Sequence, residues 1–199
     1  MYTDLLQVRN VVKHFGGVKA VNGVSFSVAR SEIHGLIGPN KAGKTTMINL
    51  ISGLLRPSQG EILVDGHHIE DLPAESRARM GVARTFQNLR VFKNLSVRQN
   101  IKVAEIPILG RSPVDQDLVE DAIDLFRLRD VLDDSPESLP YGQMRRLEIV
   151  RALALQPKLL MLDEAAAGMN PEETNELLSN LIWLRKRSPC AIVIIDHEF

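Results

Sequence analysis

Three short stretches carry residue types at spacings that suit chemistry on a phosphate chain. The first is Gly38-Pro39-Asn40-Lys41-Ala42-Gly43-Lys44-Thr45, which follows the pattern Gly, four residues, Gly-Lys-Thr. Successive backbone N–H groups of such a loop wrap phosphate oxygens, and the helix that follows adds the positive end of its dipole. Lys44 is placed to offset charge on the β- and γ-phosphates, Thr45 to give its hydroxyl to Mg²⁺, and Thr46 continues the cradle into the helix. The second stretch, Leu159-Leu160-Met161-Leu162-Asp163-Glu164, is an apolar run that ends in two carboxylates. A buried strand that delivers Asp163 to its exit suits a metal-holding role, and Glu164 beside it suits a base for an attacking water. Alone, such a strand end is usually just solvated; together with the phosphate loop it gains meaning. The third, Leu139-Pro140-Tyr141-Gly142-Gln143, precedes a helical pattern and aims a helix N-terminus outward. Its bland reading is an ordinary turn.

The elements that must position these residues are legible in outline. Leu5 to Val12, Val24 to Val28 and Glu61 to Val64 read as strands, and Asp65-Gly66 is a two-residue hairpin signal. Ile33 to Ile37 reads as a strand that enters the glycine loop, with a helix from Lys44. The stretch from Pro73 to Leu139 is mainly helical by pattern: Leu118, Ala122, Leu125 and Phe126 share one face, and Pro107, Pro113 and Pro136 cut the region into pieces. Beyond Pro140 helix and strand alternate: Met144 to Leu155, Leu159 to Leu162, Pro171 to Arg187, Ala191 to Ile195. The Pro171 helix has Asn170 as N-cap, Glu172 and Glu173 at its positive end and Arg185, Lys186 and Arg187 at its negative end. Continuous apolar strands between helices predict an α/β fold whose central sheet is parallel and covered on both faces.

Composition narrows the class. The 199 residues are 44% hydrophobic and 25% charged, a globular mix that excludes a disordered chain. Lysine and arginine number 24 against 25 acids, a net charge of −1, which gives no reason to expect a nucleic-acid partner. The single Cys190 excludes an internal disulfide and a cysteine-based zinc site. The longest uncharged run, Thr45 to Leu55, is too short for a bilayer, and Asp4 interrupts any leader-like apolar run. Contact with a membrane is therefore expected through a partner rather than by insertion.

With Gly142-Gln143 in register between the phosphate loop and the two carboxylates, the chain resembles the ATP-binding subunit of an ABC transporter. The resemblance implies a P-loop NTPase fold with an antiparallel β subdomain and an inserted helical subdomain. It implies a RecA-like core with the β subdomain over residues 1–87 and 156–199 and a helical subdomain with the signature motif over 88–155. It also implies site residues. Phe15 stands where the family stacks an aromatic on adenine, Gln87 where its Q-loop glutamine reaches Mg²⁺ and water, and Ala167-Gly168-Met169-Asn170 at the D-loop. His197 stands at the switch histidine, and Tyr141, Gly142 and Gln143 at the signature that contacts ATP held by the opposite protomer. The implied cofactors are ATP and Mg²⁺, the latter held by Thr45, Gln87 and Asp163. The implied partners are a second ATP-binding subunit and transmembrane permease subunits, which would place the chain at the cytoplasmic membrane face as a peripheral component. The segments Phe15 to Val21, Ala83 to Asn88 and Tyr141 to Ile149 resemble the branched-chain amino acid importer type, a branch that includes relatives for urea and amides.

The chain departs from that family at several positions. Lys41 replaces a usual Gly, and if the position is left-handed its replacement by Gly is expected to tighten ATP binding. Pro140 replaces the signature Ser, Ala165 replaces a Pro, and the sequence stops at Phe199, which reads as a C-terminal truncation. These departures keep open a second reading, a nucleotide-binding fragment with little turnover. A third, a DNA-repair ATPase of the ABC class, lacks the expected coiled-coil heptads.

Overall fold

The structure, a computed structural model, describes residues 4–87, 89–106 and 115–196. Two four-stranded sheets organise it. In the antiparallel one, β1 (Asp4–Phe15) pairs with β2 (Val18–Ala29) and with β4 (Gln59–Val64), and β5 (His67–His68) closes the order β2-β1-β4-β5. The β4–β5 turn is the expected one: Asp65 and Gly66 both have positive φ, 55° and 77°, as a twist-matched hairpin turn requires. The first two strands extend past their apolar cores, because the hairpin tip around Gly16-Gly17 is made of exposed residues with no inside–outside alternation to read.

The second sheet is parallel throughout. It comprises β3 (Ile33–Ile37), β6 (Val82–Arg84), β7 (Leu159–Asp163) and β8 (Ala191–Asp196) in the order β3-β8-β7-β6. β7 and β8 are buried at every position. Alternate side chains point to opposite faces, so the two faces feed two cores. Leu160, Leu162, Ile192 and Ile194 pack with the helices α3 (Val97–Glu105), α4 (Gln116–Leu125), α5 (Tyr141–Ala154) and α6 (Pro171–Arg187). Leu159, Met161, Val193 and Ile195 pack instead with α1 (Lys44–Ser52) and the antiparallel sheet. The predicted double covering therefore holds for the two central strands. β3 is an edge, with Ile37 62% exposed.

Two sequence expectations need correction. The stretch from Pro73 to Leu139, read as mainly helical, also contains the strand β6, whose three residues are too few to display a period. The helix expected from Met144 begins at Tyr141, with Pro140 in extended geometry as its N-cap. Pro107 and Pro113 lie outside the described residues. The α6 signals are all realised: the Asn170 side chain accepts from the Glu173 N–H at 2.9 Å and Glu173 returns the bond to the Asn170 N–H at 3.0 Å, with Pro171 in the first turn.

The far end of α1 is fixed by Arg77, a fully buried residue on α2 (Ala74–Arg79). Its guanidinium donates to the carbonyls of Leu50 and Ile51 in the last turn of α1, and to those of Leu72 and Glu70. A cation at a helix C-terminus satisfies orphan carbonyls and complements the dipole. Burial is the main influence on this guanidinium and lowers its pKa from the ordinary arginine range. Arg77→Met keeps the volume of the stem but orphans these acceptors. The variant should lose about 2–4 kcal/mol of stability in urea unfolding; a loss below about 1 kcal/mol would show that water replaces the guanidinium there.

Candidate functional site

The strand β3 delivers the glycine loop to the N-terminus of α1. Gly43 is left-handed, with φ 90°, and a Cβ added there would lie 2.3 Å from the Ala20 carbonyl oxygen of β2, so only glycine fits. Lys44 folds back over the loop: its Nζ donates to the carbonyls of Gly38 and, at 2.9 Å, of Pro39. Asn40, Lys41, Ala42, Gly43, Lys44, Thr45 and Thr46, with Ala20, line a cavity of about 170 Å³. The remaining member of its wall is Glu164, from the exit of β7. The phosphate loop and the proposed base, 120 positions apart in the numbering, thus share one cavity.

Glu164 is held in an uncommon conformation. Its φ is 50°, left-handed for a non-glycine residue, and its N–H donates to the Ile195 carbonyl of β8 at 3.0 Å. Its carboxylate accepts from the Gln87 amide nitrogen at 3.0 Å, which ties Gln87 to the cavity wall through Glu164. Asp163, one residue earlier, is buried. Burial, reinforced by the neighbouring Glu164 charge, raises its pKa above the ordinary carboxylate value, while Arg84 and Arg145 act in the opposite sense.

Arg84 ties Asp163 to the phosphate-loop helix. Its guanidinium donates to Asp163 at 3.1 Å, and also to the Asn49 side chain at 2.7 Å and the Ser52 hydroxyl at 3.1 Å, both on α1. The Asp163 N–H donates to the buried Thr85 hydroxyl at 3.2 Å. Neither Arg84 nor Thr85 figures among the functional residues expected from the sequence. The available signal was a charged residue at the end of a short apolar strand, immediately before Thr85-Phe86-Gln87.

The other expected residues fall elsewhere. Phe15 is half exposed at the end of β1 with the Lys13 ammonium 5.2 Å from its ring centre, and is not part of the cavity wall. Gly142 and Gln143 line a separate, larger cavity of about 560 Å³ with Pro140, Arg146, Asn170 and Glu173. Tyr141 is 44% exposed and packs near Gly168. No side chain caps the N-terminus of α5, because Pro140 has no hydroxyl to offer. The structure therefore brings residues 40–46 and Glu164 to one cavity, with Gly38 and Pro39 bonded to Lys44 and Gln87 bonded to Glu164, and leaves Tyr141, Gly142 and Gln143 on a different surface. His197 lies outside the described residues.

A fold with this connectivity and this loop defines a P-loop nucleotide-binding domain, and comparison with known proteins places it further. The family described as ABC transporter matches residues 21–167, and the chain belongs to that family. It is 38% identical to the high-affinity branched-chain amino acid transport ATP-binding protein BraF of Pseudomonas aeruginosa, over all of this chain and 84% of BraF. It is 39% identical to LivG of Escherichia coli K12, described in the same words, over all of this chain and 84% of LivG. The lipopolysaccharide export system ATP-binding protein LptB of Haemophilus influenzae is 36% identical over 98% of this chain and 81% of its own length. Among solved structures, the ADP conformation of MJ1267, an ATP-binding cassette of an ABC transporter, matches with a TM-score of 0.85 and 30% identity over 98% of this chain and 82% of that one.

Lys41 has φ 69°, so the left-handed position inferred from the glycine pattern is real. Its side chain is exposed. The strain sits in the folded loop itself, so its relief enters first as stability. Lys41→Gly should raise stability by about 0.5–1 kcal/mol after the extra unfolded-state entropy of glycine is subtracted, a Tm gain of about 1–4 °C. Loss of an exposed, screened charge should change ATP affinity by less than about fivefold. A lower Tm would show that Lys41 makes a stabilising contact that outweighs its strain.

Proposed function

We propose that this chain is the ATP-binding and ATP-hydrolysing subunit of an importer for branched-chain amino acids or a related small polar solute. The observation that carries the reading is the single cavity that joins the Gly38–Thr46 loop to Glu164, with Gln87 bonded to that same carboxylate. The relatives named for branched-chain amino acid transport support the solute class.

In this reading the N–H groups of the loop and the N-terminus of α1 bind the phosphates. Lys44 exchanges its loop carbonyls for phosphate oxygens. Glu164 takes the proton of the attacking water and Gln87 orients that water. The donor set fits a hard cation: the Thr45 hydroxyl, the Asp163 carboxylate and the Gln87 amide are oxygen ligands. Among the described residues there is no cluster of three His, Cys, Asp or Glu side chains, so Mg²⁺ would arrive with the nucleotide rather than in a protein cage. When bound, it would neutralise charge developing on the phosphates.

Two such subunits would face each other head to tail, each P-loop cavity closed by the partner's Tyr141-Gly142-Gln143 surface. The domain division implied by the sequence, a core over 1–87 and 156–199 and a helical part over 88–155, would let the signature face move against the P-loop. Permease subunits would dock at the Q-loop side. There Phe86, Arg90, Val91, Phe92, Arg151 and Leu155 line an apolar groove of about 570 Å³. No helix among the described residues is long and apolar enough to cross a membrane.

Two substitutions test the chemistry. Lys44→Ala should weaken Mg·ATP binding by at least about tenfold in calorimetry while the fold survives, since the lysine serves the ligand more than the core; unchanged affinity would remove the loop from nucleotide binding. Glu164→Gln should keep ATP affinity within a few-fold yet reduce phosphate release by about 10²-fold or more, because the water loses its base. Hydrolysis at the parent rate would show that another group takes the proton.

A further inference from the structure

Arg145 and Glu148, one turn apart on α5, form an ion pair at 2.8 Å that is almost wholly buried. Apart from this pair, the side-chain hydrogen bonds of both residues leave the helix. The Glu148 carboxylate accepts the Phe86 N–H at 3.1 Å. The Arg145 guanidinium donates to the Phe86 carbonyl at 2.6 Å, to the Gln87 carbonyl at 3.4 Å and to the Glu164 carbonyl at 3.2 Å. The pair thus grips both sides of the Phe86 residue and the backbone of the two residues, Gln87 and Glu164, whose side chains meet at 3.0 Å.

This grip falls where the backbone most needs it. A left-handed Glu164 persists only if its surroundings over-determine it. Its N–H is taken by Ile195, and its carbonyl by the Ala167 N–H at 3.1 Å and by Arg145. Arg145 is the only side chain among the described residues seen bonding that peptide. A buried ion pair is weak evidence for stability, since its desolvation offsets much of its attraction, so geometry is the better explanation for its presence. The guanidinium is also the one cationic head whose planar fork can reach three carbonyls on two loops at once.

We propose that Arg145 and Glu148 are positioning residues for hydrolysis: they lock the peptides of Phe86, Gln87 and Glu164 to the helix that starts at Tyr141, and so fix where the Gln87–Glu164 pair presents its water-activating groups. The proposal rests on the hydrolytic reading above. A consequence is that displacement of α5 is transmitted directly to the base, without any change in the P-loop.

Arg145→Lys keeps the charge but cannot span the Phe86 and Glu164 carbonyls together. Its phosphate release should fall at least about tenfold while ATP affinity by calorimetry stays within about threefold, since a displacement near 1 Å of a reacting group costs on this scale. Amide hydrogen exchange at Glu164 and Ala167, read by peptide mass spectrometry, should accelerate at least about tenfold with the β1 amides unchanged. Glu148→Gln, which removes the charge partner at nearly constant volume, should show the same split and serves if the lysine variant does not fold. Turnover within about threefold of the parent, or exchange at those two amides within about twofold, overturns the proposal. If the parent chain binds ATP but releases no phosphate, the hydrolytic reading is what fails, and the exchange rates alone decide the positioning role.

Discussion

Parallel strand pairing is the constraint from which the site follows. Strands that run in one direction end on one edge, and in such sheets ligands bind beyond the carboxyl ends of the strands. Here β3 exits into the glycine loop, β6 into Phe86-Gln87, and β7 into Asp163-Glu164. The registers Arg84 opposite Met161, Asp163 opposite Ile195, and Leu36 opposite Ile195 bring the three exits level. The antiparallel sheet contributes from the side, where the Ala20 carbonyl bounds the space in which Gly43 must turn.

Charges buried beneath this edge turn three nearby exits into one fixed geometry. Arg84 connects Asp163 to the C-terminal part of α1, Arg77 holds the carbonyls of that same end, and Arg145 with Glu148 connects the exits of β6 and β7 to α5. Arg77 and Arg145 bond mainly backbone carbonyls, and Arg84 bonds the Asp163 carboxylate with the Asn49 amide and the Ser52 hydroxyl, in places where an apolar side chain would pack but could not set an orientation. Such groups are costly to desolvate, and their value lies in placing the reactive side chains rather than in adding stability. Two of the left-handed non-glycine residues, Lys41 and Glu164, lie on the cavity wall itself.

Much of this was legible from residues 33–46 and 159–164, because glycine spacing and uninterrupted apolar runs report a strand, a turn and a helix with few alternatives. The α6 start was equally plain from Asn170, Pro171 and Glu173. The β6 strand was not, since three residues carry no period and it is defined by pairing with β7, a long-range property. The roles of Arg77, Arg84, Arg145 and Glu148 were hidden for the same reason: a charged residue inside an apolar pattern signals burial with a partner, but the partners, backbone groups for Arg77 and mostly sequence-distant side chains for Arg84, occupy positions that no local pattern reveals. Conversely, the residues expected to touch nucleotide at Tyr141 to Gln143 were legible as a helix start, while their separation from the P-loop cavity is a matter of tertiary placement.

The proposed chemistry requires one phosphate chain to lie between the 38–46 loop and Glu164. A crystal structure of the chain with Mg²⁺ and a non-hydrolysable ATP analogue tests it most directly. The terminal phosphate should lie within hydrogen-bond reach of the Lys44 ammonium, roughly 2.7–3.2 Å, with the Glu164 carboxylate facing it across the space for one water. A triphosphate bound elsewhere, or a Glu164 side chain turned out of that cavity, would contradict it.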